Sequence, residues 1–404
     1  MSDFASVSSA VHTPVQSGLC NRVAIVLSEL RAGGMERVVV HLARGLASRG
    51  VTPLVICLQS QGVLAAELEA AGIEVVAIQS HRSYDLRGAY RLAAVLTKFR
   101  PDIINVHDYA SLPYAAAAAM VRPRTPMVFT AHGLLYHGFD GKERRFRIFS
   151  RRLRALTAVS PEVGQRHRTF LQWKDAAFII PNGVPAISTS AVIRGEVRRE
   201  LGIADDEFVF LAVGNPRPEK AFEDLIAAAV QLHQRAAGRP FSVLIIGTLG
   251  DNEYCRNLQR MADEANVPGL RLLGFRSDVQ RFYSAADALV VSSRSEGLPM
   301  VVLEAMTAGL PILSTRVGGI PDAVPAEVGR LVEPACPEDL ARGMSAFLQI
   351  DPHERSAMGQ AARQHAGQHF GVETMTTGYL NVFSQLDRKV RSASWGRPGK
   401  ATPA

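Results

Sequence analysis

Short apolar runs alternate with segments of helical spacing along most of this chain. The first apolar run is 23–27, and a segment with a helical pattern follows it as far as Arg49. This alternation predicts an α/β fold in which parallel strands are joined by helices. The predicted strands are 23–27, 54–58, 75–78, 103–106, 128–130, 157–159, 178–180, 208–213, 242–246, 270–273, 288–291 and 312–314.

The length and the charge of the chain limit this prediction further. With 404 residues the chain is long enough for two domains, and no apolar run approaches the ~18 residues that span a bilayer. The net charge of +7 is concentrated in residues 1–200, whereas the remainder is slightly acidic. The four cysteines form no C-x-x-C pair, which favours reduced thiols and a cytoplasmic location.

The most informative stretch of the sequence is 292–322. A predicted strand ends just before it, and Gly297 and Pro299 indicate a bend that leads into a helix over 299–308. The strand at 312–314 follows, so the stretch is a β-loop-α-β unit. The carboxylate of Glu296 lies in the loop, and that of Glu304 lies about two helical turns further along.

The chemistry of this unit suits a nucleotide sugar. The first amides of the helix, those of Met300 and Val301, form an anion site because they lack helical partners. Ionised carboxylates only accept hydrogen bonds, so Glu296 and Glu304 suit the hydroxyl groups of sugars and riboses. The structural alternative is that Glu296 complements the helix dipole and Glu304 lies on a solvated face.

The E-x7-E pattern of Glu296 and Glu304, with the glycine-rich turn G-G-I-P at 318–321, resembles the donor-binding region of glycosyltransferase family 4. That family is retaining and has the GT-B fold, in which two Rossmann-like parallel-sheet domains face each other across a cleft. The resemblance implies that the first carboxylate lies near the hydroxyls of the donor sugar. The second carboxylate is expected on the ribose.

Motifs in the first half of the chain extend this resemblance. The G-G-x-E-R pattern from Gly33 and Gly34 to Arg37 resembles the first loop of the family, which lies across the cleft from the donor phosphates. A nicotinamide cofactor is disfavoured, because G-x-G-x-x-G is absent and the second strand leads to Gln59 rather than to an acidic residue. His132 in T-A-H-G resembles the family's histidine beside the transferred sugar.

Other polar residues near strand ends have two interpretations. His107 follows the strand 103–106, at the end where ligands of parallel sheets bind, but a lone histidine is also compatible with a structural role. Asp108, Tyr109 and Tyr136 are either acceptor contacts or ordinary loop residues.

A loop in the second half of the chain supplies cations. The loop runs from Gly214 to Lys220, where the family places an arginine and a lysine against the departing diphosphate. Lys220 matches the lysine, whereas Asn215 occupies the arginine position. Arg217 is a hypothetical substitute for the missing arginine.

The site residues that the resemblance implies fall into two sets. The family holds the nucleotide base after the strand 270–273, which nominates Phe275 and Val279, with buried packing as the alternative for both. The catalytic residues implied are Glu296, His132, Lys220 and Arg217, and the donor-binding residues implied are Gly33, Gly34, Gly214, Phe275, Val279, Gly297, Leu298, Met300, Val301 and Glu304. No metal ligands and no cofactor are expected.

The resemblance also implies a layout of domains. Residues 1–18 are predicted to be a disordered tail, without the apolar core of a signal peptide. A Rossmann-like acceptor-side domain is expected over 19–190, and a second that binds the nucleotide sugar over 191–370. A helix at 371–387 is expected to cross back to the first domain, ahead of a mobile tail at 388–404.

The implied function is transfer of a hexosyl unit, with retention, from a nucleoside-diphosphate sugar to a hydroxyl of a glycan or lipid-linked glycan. Such a reaction belongs to the biosynthesis of cell-surface polysaccharide, either exopolysaccharide or lipopolysaccharide. The alternatives within enzymes are a GT-B sugar-nucleotide epimerase and a phosphorylase. The phosphorylase is disfavoured, because the sequence offers no candidate lysine for pyridoxal phosphate. A non-catalytic nucleotide-binding scaffold subunit is the alternative outside enzymes, and Asn215 is the feature that favours it.

A basic segment at 142–154 points to an anionic partner. It contains seven basic residues with four apolar residues between them. Such a pattern is typical of a helix that contacts the inner membrane face peripherally or binds an anionic acceptor, and equally of a solvated helix face. Nucleic acid is not expected, since no recognition motif accompanies the charge.

Overall fold

The chain folds into two compact units. The computed structural model describes residues 20–80, 85–135, 141–235 and 239–395. One unit contains the described residues up to Gly183 together with those from Val372 onwards, and the other is Val184–Gly371. Tyr136 and the tail predicted at 1–18 lie outside the described residues, as do residues 396–404.

The first unit is built on a seven-stranded parallel sheet. Its strands are β1 (Arg22–Leu27), β2 (Thr52–Cys57), β3 (Glu74–Ala77), β4 (Ile103–Val106), β5 (Met127–Ala131), β6 (Ala155–Ala158) and β7 (Phe178–Ile179). The order across the sheet is β3-β2-β1-β4-β5-β6-β7. It reverses between β1 and β4, and such a switch point is where parallel sheets bind ligands.

Helices lie between these strands, and two of them have a side-chain N-cap. The helices are α1 (Gly34–Ser48), α2 (Ala65–Glu69), α3 (Leu86–Phe99), α4 (Ser111–Ala118), α5 (Glu143–Ser150) and α6 (Pro161–Leu171). The Asp85 side chain caps α3 by accepting from Arg87 N. Ser160 Oγ caps α6 by accepting from Val163 N, and Pro161 occupies the first helical position.

The second unit repeats this design with a six-stranded parallel sheet. Its strands are β8 (Phe208–Val213), β9 (Phe241–Ile246), β10 (Leu270–Gly274), β11 (Ala288–Val291), β12 (Ile312–Thr315) and β13 (Gly329–Val332). They lie in the order β10-β9-β8-β11-β12-β13, with the reversal between β8 and β11. Both sheets are therefore Rossmann-like, as the sequence predicted.

The helices of the second unit cover its sheet. They are α7 (Ala191–Glu200), α8 (Phe222–Arg235), α9 (Glu253–Glu264), α10 (Val279–Ala285), α11 (Met300–Thr307), α12 (Ile320–Ala323), α13 (Pro337–Gln349) and α14 (Pro352–His369). α8 and α13 pack against each other and contribute Leu225, Leu232, Met344 and Phe347 to a core shared with β8, β9 and β11. This core fixes the positions of the strands relative to one another, and the ends of these strands carry the site.

The structure differs from the predicted elements at two places. Every predicted strand is present, but β13 was missed because its residues G-R-L-V form no continuous apolar run. The C-terminal helix α15 (Val372–Trp395) packs on α1 and is longer than the predicted 371–387, since no glycine or proline lies between Asp387 and Gly396. Among the described residues, no helix combines the length and the apolar character needed to cross a membrane.

Candidate functional site

Two loops meet at the switch point of the second sheet. The loop 214–220 follows β8, the loop 292–299 follows β11, and β8 and β11 are neighbours. The carboxyl ends of parallel strands share one edge, which brings the loops together. Ser292 Oγ donates to the carbonyl oxygen of Lys220 over 2.9 Å, and Arg294 N donates to that of Glu219 over 2.8 Å.

A lysine–glutamate pair lies at the centre of this edge. Lys220 Nζ donates to Glu296 Oε1 over 2.6 Å, and Ser293 Oγ donates to the same oxygen over 2.6 Å. The side chain of Glu296 is 10% exposed and that of Lys220 is 26% exposed, so both reach the surface. Hydrogen bonds between ionised groups are short and strong, and this one fixes both head groups. Ser293 was not identified from the sequence.

The backbone around Lys220 determines where its side chain points. Ala221 has a φ of 48°, a left-handed conformation that residues other than glycine rarely adopt, and it is fully buried. The aliphatic part of the lysine packs beside Gly214, where a methyl group would lie at an ordinary contact distance of 3.5 Å from Lys220 Cε. The ammonium group is therefore positioned by the fold.

Gly318 holds the loop that carries Glu296. Its φ is 57°, and a methyl group there would collide with the carbonyl oxygens of Glu296 and Gly297. Gly319 N also donates to the Gly297 carbonyl over 2.5 Å. Only glycine permits so close an approach of two backbones, so the turn after β12 clamps the loop after β11.

The start of α11 lies where the sequence predicted an anion site. The helix begins at Met300, and the N–H groups of Met300 and Val301 have no acceptor within the helix. Gly297, Leu298 and Met300 are buried, which anchors the loop to the core. The positive end of the helix dipole therefore lies four residues after Glu296.

Glu304 is held by a tyrosine that no motif identifies. The hydroxyl of Tyr283, on α10, donates to Glu304 Oε2 over 2.8 Å. Tyr283 is fully buried, and burial, followed by the negative charge of Glu304, raises its pKa well above the usual value. The tyrosine therefore stays protonated and remains a donor. The alternative that Glu304 lies on a solvated helix face fits only partly, because the residue is half-buried.

Two arginines near this edge have different surroundings. Arg217 is exposed, and within the described residues its guanidinium forms no hydrogen bond or ion pair. Arg294, which the sequence did not single out, binds Asp224 through two nitrogens at 2.7 and 3.0 Å and Glu223 at 3.0 Å. Arg217 is therefore the guanidinium still available to an added anion.

The two residues nominated for the nucleotide base are placed differently. Phe275 follows β10 and is 64% exposed, so the buried-packing alternative is wrong for this ring. Val279 is half-buried at the first turn of α10. An exposed aromatic face at the carboxyl edge of the sheet is suited to stacking on a base.

In the first unit, His132 follows β5 and contacts a second histidine. His107 Nδ1 and His132 Nε2 are 2.8 Å apart, and the two ring centroids are 5.0 Å apart. Burial lowers the pKa of His132 to about 3 and that of His107 well below its usual value. Both rings are therefore neutral at pH 7. His107 is not a lone histidine but part of a chain that includes His132.

The glycines predicted to cradle phosphate lie at the start of α1. Gly33 is the N-cap and Gly34 the first helical residue. The Glu36 carboxylate folds back so closely that a Cβ at Gly33 would collide with it. Glu36 therefore lies over the helix start, as in a capping box, and a bound anion would have to displace it.

The loop residues after β4 have structural partners. Asp108 accepts from the backbone amides of Ser28 and Ser111 over 2.6 and 2.7 Å. Tyr109 is buried, and its hydroxyl lies 2.8 Å from His167 Nδ1. The ordinary-loop interpretation therefore fits Asp108 and Tyr109.

The basic segment 142–154 forms α5 and the turn after it. Two of its apolar residues, Phe146 and Leu153, are buried, whereas Ile148 is 61% exposed. Arg147 and Arg152 donate to backbone carbonyls, which makes them structural. The exposed basic residues that remain are Lys142, Arg144, Arg145, Arg151 and Arg154.

Within the ranges that the structure describes, no group of three or more His, Cys, Asp or Glu side chains is placed to hold a metal ion. The groups gathered at the edge of the second sheet are instead a cation, two carboxylates and the amides of a helix start. This set can bind an anion and several hydroxyls together.

Two family models match consecutive parts of the chain. The model described as Glycosyltransferase Family 4 matches residues 32–186, and the model described as Glycosyl transferases group 1 matches residues 193–365. The second match contains Lys220, Glu296 and Glu304, and the first contains His132. Together the two models cover most of both units.

Individual relatives agree with the family models. The chain is 28% identical over 391 residues to the D-inositol 3-phosphate glycosyltransferase of Saccharomonospora viridis, covering 88% of this chain and 89% of the relative. It is 25% identical over 314 residues to a GDP-mannose-dependent monoacylated alpha-(1-6)-phosphatidylinositol monomannoside mannosyltransferase of Corynebacterium glutamicum, covering 74% and 81%.

A solved structure shows the same fold. Anabaena Alr3699/HepE in complex with UDP-glucose superposes with a TM-score of 0.77 at 21% identity, covering 92% of this chain and 99% of that one. The fold, the family models and the relatives all lead to one assignment. The chain belongs to the glycosyltransferases of GT-B type, with a family 4 domain followed by a group 1 domain.

Proposed function

We propose that the second unit binds a nucleoside-diphosphate sugar at the carboxyl ends of β8 and β11, and that the hexosyl unit passes to a hydroxyl acceptor with retention. The observation that carries this proposal is the 2.6 Å contact between Lys220 and Glu296 beside the start of α11. A cation and helix amides suit a diphosphate, and a carboxylate among them suits sugar hydroxyls. The UDP-glucose complex of the Anabaena protein supports the choice of donor class.

Lys220 and the α11 amides would stabilise the departing diphosphate. As the bond from the anomeric carbon to the phosphate oxygen breaks, negative charge grows on that oxygen, and preorganised donors lower the barrier. Donor binding would turn the Lys220 ammonium from Glu296 towards the phosphate, which leaves Glu296 to accept from sugar hydroxyls. Arg217 would add a second cation in place of the arginine missing at Asn215.

The acceptor oxygen would attack the anomeric carbon from the face that the diphosphate leaves. A new glycosidic bond forms as the old one breaks, and the departing phosphate oxygen takes the acceptor proton. We propose that fixed protein charges suffice for this step and that no divalent cation is needed. Turnover that persists in excess EDTA supports this point, and turnover abolished by EDTA contradicts it.

The remaining predicted residues complete the proposed donor site. Glu304, oriented by Tyr283, would accept from the ribose hydroxyls, and Phe275 would stack on the base. His132 would hydrogen-bond to the transferred sugar. Gly33 and Gly34 would approach the phosphates once Glu36 has moved aside.

We propose a lipid-linked glycan of cell-surface polysaccharide biosynthesis as the acceptor class. The name of the Corynebacterium relative contains a phosphatidylinositol-based acceptor, which supports a lipid acceptor here. The exposed basic residues of 142–154 would hold an anionic surface by charge, because Phe146 and Leu153 are buried and cannot insert.

A turnover assay tests the proposed reaction. Wild-type protein is incubated with UDP- and GDP-sugars and a membrane lipid extract, and release of nucleoside diphosphate is measured. Glu296→Gln keeps the size of the side chain but removes its charge, and should lower turnover by about 100-fold or more. Glu219→Gln, an exposed neighbour of Lys220, is the matched control and should retain activity.

The outcomes separate the competing functions. Equal turnover in Glu296→Gln and wild type would contradict the proposed site. Nucleotide binding without turnover of any donor would favour the scaffold subunit. Release of nucleoside diphosphate with formation of a free, epimerised sugar and no glycoside would favour the epimerase.

A further inference from the structure

A chain of hydrogen bonds links four polar residues at the carboxyl edge of the first sheet. Thr130 Oγ1 donates to Asn105 Oδ1 over 3.0 Å, and Asn105 Nδ2 lies 2.9 Å from His107 Nε2. His107 Nδ1 lies 2.8 Å from His132 Nε2. Asn105 and His107 belong to the end of β4, and Thr130 and His132 to the end of β5, so two neighbouring strands fix the chain.

The direction of each hydrogen bond follows from the first one. The Thr130 hydroxyl has one proton and two neighbours, the Asn105 carbonyl oxygen at 3.0 Å and Thr157 Oγ1 at 2.8 Å. With Thr157 donating to Thr130, the Asn105 carbonyl oxygen accepts from the Thr130 hydroxyl, so the amide group that faces His107 is a donor without acceptor capacity. His107 Nε2 must therefore accept, which places the proton of a neutral His107 ring on Nδ1. That proton is donated to His132 Nε2. A neutral His132 then carries its own proton on Nδ1.

His132 Nδ1 is the end of this chain. It is shielded from solvent and has no hydrogen-bond partner within the part of the chain that the structure describes. A shielded donor without an acceptor is uncommon in native proteins and calls for an explanation such as a ligand. His167, the other histidine close to His132, is held separately by Tyr109 and by the Gly133 carbonyl.

We propose that Asn105 and His107 are positioning residues that fix His132 as a one-way donor, with Nδ1–H aimed at a neutral ligand oxygen. This inference rests on the proposed function, in which the oxygen belongs to a hydroxyl of the transferred sugar. A nitrogen that already carries a proton cannot remove one from the acceptor. His132 therefore recognises the sugar and is not the base of the reaction.

The tautomer can be observed directly in the full-length protein. With ¹⁵N-labelled histidine, two-bond ¹H–¹⁵N spectra distinguish protonated from unprotonated ring nitrogens, and the His132→Gln spectrum assigns the signals. We expect protonated Nδ1 and unprotonated Nε2 at His132. His107→Phe removes the donor and should shift His132 towards protonated Nε2, whereas His107→Gln offers an amide donor and should retain the original pattern. The remote histidine variant His365→Gln serves as the control.

Two spectral outcomes would overturn the proposal. One is protonated Nε2 at His132 in the wild type. The other is a His132 pattern that His107→Phe leaves unchanged. Neither outcome depends on the substrate, so both are distinguishable from a failure of the proposed function.

Binding measurements test the role of the donor. The probe is UDP-glucose or GDP-mannose, whichever binds more tightly, compared with its own nucleoside diphosphate. His107→Phe should weaken binding of the nucleotide sugar about tenfold, as expected for one lost hydrogen bond, and leave the diphosphate unaffected. Equal weakening of both would show a merely structural role and overturn the proposal. If the wild type binds neither, the proposed function fails while the spectra still decide the tautomer.

Discussion

Single residues outside every motif hold the proposed site in place. Ser293 donates to Glu296, and Tyr283 donates to Glu304. Each carboxylate keeps one oxygen engaged by the protein, which restricts its orientation before any ligand binds. Orientation of this kind reduces the entropy lost on binding.

Removal of the Tyr283 hydroxyl tests this restriction. Tyr283→Phe keeps the buried ring and removes the hydrogen bond to Glu304 Oε2, so we expect nucleotide affinity to fall by about fivefold, about 1 kcal/mol. The matched control is Tyr254→Phe, since the Tyr254 hydroxyl donates to Glu223 over 2.5 Å. Isothermal titration with UDP and GDP measures the effect. An affinity loss equal to that of the control would show that Tyr283 does not act through Glu304.

At the scale of elements, one turn clamps another across the second sheet. Gly318, in the turn between β12 and α12, contacts the backbone of Glu296 and Gly297 in the loop after β11. The positive φ and the close contact act together at this position, so the loop that carries Glu296 depends on a residue 22 positions away.

Gly318→Ala should therefore cost more than an ordinary substitution of a left-handed glycine. We expect a loss of about 3 kcal/mol in unfolding free energy, because about 1 kcal/mol of backbone strain is joined by a backbone collision. Gly202→Ala is the control, since Gly202 has a φ of 62° and open space around it. The unfolding free energies of both variants are measured in urea. Equal losses in the two variants would contradict the close backbone contact proposed at Gly318.

The sequence determined most elements but few of their side-chain contacts. Continuous apolar runs predicted every strand except β13, whose G-R-L-V contains an exposed arginine. Strand ends predicted that Lys220 and Glu296 would share an edge, because parallel strands align their carboxyl ends. The periodicity of a sequence does not show which side chains form contacts when they are 21 or 25 residues apart. The Tyr283–Glu304 and His107–His132 contacts are therefore visible only in the structure.

At the scale of the whole molecule, net charge is divided unequally along the chain. The excess of basic residues lies in residues 1–200, and several of them are exposed on α5 and the turn after it. Each basic residue near an anionic membrane surface contributes about 1 kcal/mol, so a few exposed arginines suffice for salt-sensitive binding.

Charge reversal on this surface tests the proposed acceptor side. Wild-type protein should sediment with phosphatidylglycerol vesicles at low salt and not with phosphatidylcholine vesicles. Arg144→Glu combined with Arg151→Glu should weaken this binding by about tenfold or more. The pair Arg239→Glu and Arg330→Glu makes the same change in net charge on exposed residues of the second unit and should bind like the wild type. An equal loss of vesicle binding in both double variants would show that only the net charge of the protein matters, and would contradict a specific role for this surface.

The central claim is that Lys220 and Glu296 mark a site for a nucleoside diphosphate. Titration of the protein with UDP, GDP and the free nucleosides tests it most directly. Lys220→Gln keeps a hydrogen-bond donor for Glu296 but removes the cation, and should weaken binding of the preferred diphosphate by about 10-fold to 100-fold. Its effect on the nucleoside should be small, and the exposed Lys174→Gln should match the wild type. Unchanged diphosphate affinity in Lys220→Gln would contradict the account.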